Sequence, residues 1–71
     1  MEVLVFRTNV NNKRKVSRIR PLLTSVAAIK QWNFDLEDCD NVLRIETTGL
    51  NTRYVEALLQ NAGFDCSEMD Y

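Results

Sequence analysis

The chain has 71 residues, 45% of them hydrophobic and 27% charged, and its formal net charge is −1. A chain of this length forms one small domain that buries only about 60% of the surface it exposes when unfolded. It contains no histidine, so the usual general base, the usual partner of a Ser or Cys nucleophile and the commonest zinc ligand are missing. No apolar stretch approaches the length of a membrane span or a signal-peptide core. These features disfavour an enzyme and predict a cytoplasmic domain without a membrane segment.

The charges are unevenly distributed along the sequence. Residues 1–20 hold six basic residues and one acid, whereas residues 21–71 hold three basic residues and nine acids. Four of the basic residues are grouped at the predicted start of a helix: Lys13, Arg14, Lys15 and Arg18. Such a distribution is typical of steered binding to an anionic surface or of head-to-tail self-association. It is also typical of a helix whose charges contact only solvent.

The first part of the chain predicts a strand followed by a helix. Residues 2–8 alternate and are rich in β-branched and aromatic residues, which predicts a strand with two apolar faces and hence a central place in a sheet. Asn11 or Asn12 can cap the next helix, because its side chain accepts a hydrogen bond from a free backbone N–H. Apolar residues at spacings of three and four predict that helix over residues 12–26: Val16, Ile19, Leu23 and Val26. Pro21 predicts a kink, or a last turn that begins again there.

The second part predicts a hairpin, where two strands at residues 29–36 and 42–47 are joined by an acidic turn. In the first of these strands three apolar side chains share one face: Trp32, Phe34 and Leu36. The side chains between them are polar, which predicts that the other face of this strand contacts water.

A second helix and a short strand complete the chain. The helix is predicted over residues 51–62, with Asn51 or Thr52 as its cap and with a buried stripe formed by Val55, Leu58, Leu59 and Ala62. Gly63 fits the left-handed position after a helix, and Phe64 supplies the apolar contact that accompanies it. Residues 64–69 are predicted as the last strand.

The predicted order βαββαβ assigns residues 1–71 to one α+β domain with the ferredoxin-like arrangement. Its four-stranded antiparallel sheet carries both helices on one face. Right-handed crossovers place the first and third strands in the middle and the second and fourth at the edges. The first loop, the hairpin turn and the start of the fourth strand then lie at the same end of the sheet.

Two segments carry a family resemblance. Residues 28–36, AIKQWNFDL, are similar to a second strand of the form Gly-Val-x-x-Val-x-Val-x-Leu, and residues 55–64, VEALLQNAGF, are similar to a closing helix that ends in Ala-Gly-Tyr or Ala-Gly-Phe. Both patterns belong to the heavy-metal-associated (HMA) domain, the fold of copper chaperones and of the N-terminal modules of metal-transporting ATPases. The chain resembles this domain over nearly all of its length, which implies the same fold.

The resemblance also implies where a metal would bind. By the family's spacing, its two Cys-x-x-Cys positions fall near Asn12 and Lys15, and the segment NKRK contains no thiol. The family binds Cu(I) or Zn(II) through thiolates because soft metals prefer soft ligands, and neither an amide nor an ammonium group is one. We therefore expect no metal at this loop and no cofactor.

Cys39 and Cys66 remain as candidates for a soft-metal site. They lie toward opposite edges of the predicted sheet, roughly 14 Å apart, whereas a disulfide needs Cα atoms within about 7 Å. Cys66 alternates in phase with Phe64 and is predicted to be a small core residue. Cys39 lies in the acidic turn and is predicted to be an exposed thiol. The alternative function is a Cu or Zn carrier that uses Cys66 or Cys39 between two chains.

Nucleic acid is disfavoured as a partner. An RNA-binding relative with this topology would display aromatic residues on the open face of the sheet, whereas Trp32 and Phe34 are predicted to pack under the helices. A contact with phosphate through the basic helix stays open as an alternative.

The function that the sequence favours is a binding or adaptor module. Its predicted partner is a protein with an acidic surface, which would contact Lys13, Arg14, Lys15 and Arg18. The edge strands are short, and the second strand is polar on its open face, so we predict a monomer or a weak homodimer.

Overall fold

A computed structural model describes residues 1–69 of the chain. These form the elements β1 (Glu2–Thr8), α1 (Lys13–Thr24), β2 (Ile29–Asp35), β3 (Val42–Thr47), α2 (Thr52–Asn61) and β4 (Cys66–Glu68). The strands pair in the order β2-β3-β1-β4, and every pair is antiparallel. The predicted ferredoxin-like fold is therefore confirmed, with the first and third strands in the middle. Residues 70 and 71 of the predicted domain lie outside the described residues.

The hydrophobic core lies between the sheet and the two helices. The sheet contributes Phe6, Leu43 and Ile45, and each of these side chains is fully buried. The helices contribute Ile19 and Leu23 from α1 and Val55 and Leu59 from α2, which are also fully buried. Apolar spacing in the sequence and burial in the structure agree here, because burying this surface is the main favourable term in folding.

The helix ends follow the predicted capping chemistry. The Asn12 side chain accepts a hydrogen bond from the Lys15 backbone N–H at 2.9 Å, and the Asn51 side chain accepts one from the Arg53 N–H at 2.8 Å. At the end of α2, Gly63 adopts the left-handed φ of 91°. The backbone N–H of Gly63 then donates to the Gln60 carbonyl at 3.0 Å, which satisfies one of the last free carbonyls of the helix.

Two details predicted for α1 and α2 differ in the structure. The helix α1 is continuous through Pro21, so the alternative of a last turn that begins again there is wrong. Proline at this position removes one hydrogen bond, and the turn is held instead by the Ser25 N–H on the Pro21 carbonyl at 3.2 Å and by the Thr24 hydroxyl on the Arg20 carbonyl at 2.9 Å. Ala62 is exposed, because it is the C-cap residue of α2 and no longer lies on its buried face.

The last strand is shorter than the predicted 64–69 and spans Cys66–Glu68. The Phe64 N–H is used to end α2, where it donates to the Leu59 carbonyl at 3.0 Å. The Asp65 N–H donates to the Asn9 side chain at 3.0 Å. The backbone N–H groups of both residues therefore bind other acceptors, and strand pairing starts only at Cys66. No helix within residues 1–69 is long and apolar enough to cross a bilayer.

Candidate functional site

The first loop, between β1 and α1, is held in place by hydrogen bonds to two neighbouring segments and by one within the loop itself. The Thr8 hydroxyl donates to the Asn41 carbonyl in the hairpin turn at 2.6 Å and accepts from the Val10 N–H at 3.1 Å. The Asn9 side chain accepts from the Asp65 N–H, which precedes β4. The first loop, the hairpin turn and the start of β4 therefore meet at one end of the sheet.

Val10 is the residue of this loop that the sequence prediction missed. It is fully buried and belongs to the core, although its neighbours in the loop are asparagines. Its signal in the sequence is an isolated apolar residue in a polar loop, which is weak because it has no periodic partner. The buried Val10 fixes the loop to the core and so determines where the following residues lie.

The two positions that correspond to the Cys-x-x-Cys motif carry side chains that already have local partners. The side-chain amide oxygen of Asn12 caps α1 by accepting from the Lys15 N–H at 2.9 Å. The Lys15 Nζ donates to the Asn9 carbonyl at 3.5 Å. An engaged amide oxygen and a charged ammonium group do not supply the soft, electron-donating ligands that Cu(I) and Zn(II) require. The residues present at this loop therefore do not fit such a metal.

A cluster of positive charge covers the same end of α1. We call Lys13, Arg14, Lys15 and Arg18 the basic corner; Lys15 is half-buried and the other three are exposed. The first turn of α1 contains no acidic residue. Over residues 1–69 one ion pair is present, between Arg7 Nε and Asp40 Oδ1 at 3.4 Å. The charges of the basic corner are thus not neutralised by a carboxylate within the described chain.

The two cysteines lie in very different environments. Cys66 is 4% exposed and packs in the core, as predicted, whereas Cys39 is exposed in the hairpin turn, and both are free thiols. Burial raises the pKa of the Cys66 thiol to about 12, and the negative charge of Glu56 adds to the effect. Because a thiol must lose its proton to bind a metal, Cys66 is a poor ligand at neutral pH.

The hairpin turn brings Asp38, Cys39 and Asp40 together, with one possible ligand atom from each within 4.8 Å of the others. These carboxylates have structural partners. Asp38 accepts from the Asp40 N–H at 2.9 Å, and Asp40 pairs with Arg7. Asn41 adopts a left-handed φ of 48°, which asparagine tolerates, and so closes the turn. The contacts explain the acidic residues as part of the turn itself.

The burial of Cys66 predicts a loss of stability at high pH. In the folded chain the thiol stays protonated up to its pKa of about 12, whereas in the unfolded chain it ionises near the ordinary value of 9.0. The contribution of the protonated Cys66 thiol to the free energy of unfolding is fully present below about pH 9. It is lost as the pH rises toward about 12, because only the unfolded chain releases the proton in this range. Urea denaturation across this pH range measures the effect.

Cys66→Ala and Cys39→Ala are the matched variants for this measurement. The free energy of unfolding of Cys66→Ala should fall less steeply with pH than that of the wild type, whereas Cys39→Ala should follow the wild type. Parallel curves for the wild type and Cys66→Ala would contradict the assignment.

Solved structures with the same fold include an HMA domain, a copper(I)-loaded domain and a domain in the Zn(II) form. The apo form of the HMA domain of the copper chaperone for superoxide dismutase has a TM-score of 0.79 and 26% sequence identity, and the match covers 96% of this chain and 66% of that one. The copper(I)-loaded first domain of the human copper chaperone for SOD1, CCS, has a TM-score of 0.78 and 27% identity, with 93% and 89% covered. The N-terminal domain of ZntA in the Zn(II) form has a TM-score of 0.79 and 13% identity, with 96% and 92% covered.

These comparisons confirm the predicted HMA-like fold. The chain spans 66% of the length of the first of these structures, which is just under two thirds. No protein-family model matches the sequence, and no curated protein matches it either.

Proposed function

We propose that this chain, an HMA-like domain by its fold, is a protein-binding or adaptor module that does not use a Cys-x-x-Cys metal site. Its partner presents an acidic surface to the basic corner. The observation that carries the proposal is the positive charge of the basic corner, which has no carboxylate partner within residues 1–69. On this proposal the chain acts in the cytoplasm, as a monomer or a weak homodimer.

The position of these charges supports binding more than stability. Basic residues at the start of a helix oppose its dipole and each cost a few tenths of a kcal/mol, roughly. The chain keeps three of the four at exposed positions beside a loop that is fixed to the core, so the charges lie on a preorganised surface. Complementary charge on a partner raises the association rate and selects against partners of the wrong sign.

The second candidate function is a Cu or Zn carrier that uses Cys66 or Cys39 between two chains. Two structural neighbours favour it, because one is a copper(I)-loaded domain and the other is a domain in the Zn(II) form. Against it, Cys66 is buried and holds its proton, so it would have to leave the core before it could bind. Cys39 then remains, and it offers one exposed thiol per chain. An enzyme is a weaker candidate, since the chain has no histidine and its sequence predicts no catalytic constellation.

The proposal predicts that reversing charge at the basic corner weakens binding. We expect Arg14→Glu/Arg18→Glu to reduce the affinity for an acidic partner about tenfold, because each pair between exposed charges contributes up to roughly 1 kcal/mol. The dependence of binding on salt should also decrease. Thermal stability should be unchanged or slightly higher, because acidic residues suit the start of a helix. Quantitative affinity purification from the native cells, followed by titration of the partners found, measures both effects.

The matched control is Arg44→Glu/Arg53→Glu, which changes the net charge equally at two exposed positions outside α1. Partners that bind through the basic corner are lost with the first variant and kept with the second. If both variants recover the same partners as the wild type, the basic corner is not the binding surface. If both lose them equally, net charge rather than this surface is responsible.

A further inference from the structure

An open groove lies between α1 and the edge strand β2, and of the basic corner it shares only Lys13. Its volume is about 720 Å³, and its apolar part includes Trp32, Phe34 and Val16. The rings of Trp32 and Phe34 meet edge to face with centroids 6.0 Å apart. The Arg20 guanidinium lies 5.6 Å from the centroid of the Trp32 ring. The groove thus combines partly buried aromatic rings with a cation directly above one of them.

The charge of the groove has one sign. Its lining includes Lys13, Arg20 and Lys30 and no acidic residue, although the chain as a whole has ten acids and nine basic residues. Basic side chains beside an apolar surface complement a ligand that has apolar groups between carboxylates. The groove is therefore suited to an acidic peptide with apolar side chains rather than to a neutral or basic one.

The two edges of the sheet differ in their backbone hydrogen bonds. At the β4 edge, side chains of α2 bind the outward backbone groups: Gln60 Nε2 donates to the Cys66 carbonyl at 2.9 Å, and Glu56 accepts from the Glu68 N–H at 2.8 Å. At the β2 edge, no side chain within residues 1–69 binds a backbone group of Gln31–Asp35. One edge is closed to a further strand and the other is open.

The open segment of β2 is well defined. The pairing of β2 with β3 shifts between Ile29 and Gln31, so a bulge interrupts the edge at Lys30. From Gln31 to Asp35 the register is regular. These residues present an edge of roughly 17 Å, which is enough for a short extended peptide.

We propose that the β2 edge and this groove bind an extended segment of a partner protein by strand addition. Backbone hydrogen bonds to Gln31–Asp35 hold the segment, as in other complexes in which a peptide extends a sheet. Alternate side chains of the segment point toward α1, where apolar ones contact Trp32 and Phe34. Carboxylates at its two ends contact the basic residues of the groove. Lys13 is the one residue of the basic corner that lines the groove, so the inference does not rest on Arg14, Lys15 or Arg18.

A designed peptide tests the proposal directly. The probe Glu-Thr-Val-Thr-Phe-Thr-Glu, with blocked termini, places Glu, Val, Phe and Glu on one face of a strand. Trp32 is the only tryptophan of the chain, so its fluorescence reports occupancy of the groove. We expect a saturable change in Trp32 fluorescence and slower hydrogen exchange of the Gln31–Asp35 amides. The same peptide with Lys in place of Glu should bind at least about tenfold more weakly, which corresponds to about 1.4 kcal/mol.

Two variants separate this groove from the basic corner. Arg20→Glu/Lys30→Glu should weaken the Glu peptide about tenfold, and Arg14→Glu/Arg18→Glu should leave its affinity unchanged. No fluorescence change at millimolar peptide, equal binding of the Lys peptide, or loss of binding only with the Arg14 and Arg18 changes would overturn the proposal. So would a chain that alone forms a dimer through β2 in sedimentation experiments, because the occupant would then be a second copy. The two proposals can also fail separately. If the Glu peptide binds but Arg14→Glu/Arg18→Glu recovers the same partners as the wild type, the groove is supported and the basic corner is refuted as the binding surface.

Discussion

Introducing two cysteines by Asn12→Cys/Lys15→Cys is expected to turn this domain into a tight binder of Cu(I) and Zn(II). The Asn12 side chain already lies at hydrogen-bond distance from the Lys15 backbone, 2.9 Å, so the two positions are neighbours at the start of α1. The substitution adds two thiolates and removes an ammonium group that repels cations. The loop needs no rearrangement on the scale of the fold, because Thr8 and Asn9 hold it to the hairpin turn and to the residue before β4.

Native mass spectrometry and competition with a strong chelator measure this gain. The wild type should bind either metal no more tightly than a free thiol does. The affinity of the cysteine variant for the metal should be several orders of magnitude higher, and the variant should keep one metal per chain. The matched control Asn12→Ser/Lys15→Ser removes the same two side chains and supplies only hydroxyl groups, so it should bind like the wild type. Loss of the Asn12 cap should lower the stability of the metal-free cysteine variant by about 1 kcal/mol.

Two results would contradict this expectation. A wild-type chain that keeps a stoichiometric metal against the chelator would show that Cys39 or Cys66 already forms a site, and the carrier function would replace the binding module. A cysteine variant that gains nothing would show that the loop geometry, and not only its ligands, differs from that of a metal-binding domain.

The fold was accessible from the sequence because its signals are local and periodic. Asn12 and Asn51 cap the two helices as their residue types predict, and Gly63 takes the left-handed conformation that ends α2. The apolar residues of α1 recur at helical spacing, and Ile19 and Leu23 are fully buried. Each of these features depends on residues within a few positions of one another, so one sequence is enough to find it.

The groove beside β2 and the difference between the two edges of the sheet could not be predicted from the sequence. Arg20 and Trp32 meet across two different elements, and the contact depends on how α1 lies over β2. Glu56 and Gln60 close the β4 edge from a helix, although nothing in their sequence spacing indicates that role. Long-range contacts of this kind follow from packing and register, which a sequence pattern does not specify.

The basic corner could be predicted from the sequence only in part. Its four residues are close in the sequence, so their clustering could be predicted from the sequence alone. The structure adds that none of them pairs with a carboxylate among residues 1–69 and that Lys15 is partly covered and bound to the Asn9 carbonyl. The distinction matters for mutagenesis, because replacing Lys15 also disturbs the loop, whereas replacing Arg14 or Arg18 does not.

The substitution Val10→Asp is expected to remove a large part of the stability of the protein. Val10 is fully buried in the core, although it lies in the first loop and outside every helix and strand. A carboxylate there would be buried without a cationic partner, which costs more than about 3 kcal/mol. The loss is large against the total stability of so small a domain, which is on the order of 4–11 kcal/mol. Circular dichroism during urea denaturation measures it.

The neighbouring substitution Asn11→Asp is the matched control, because it introduces the same carboxylate one residue away at an exposed position. We expect its stability to stay within about 0.5 kcal/mol of the wild type. If Val10→Asp is as stable as Asn11→Asp, the first loop is not anchored in the core. The basic corner and the cysteine pair at positions 12 and 15 would then lie on a mobile segment, and binding there would carry the additional entropic cost of ordering the loop. A large difference in stability between the two variants would instead show that the loop is fixed before any partner arrives. A loop that is already ordered favours tight and selective binding, both of a protein at the basic corner and of a metal at the cysteine pair.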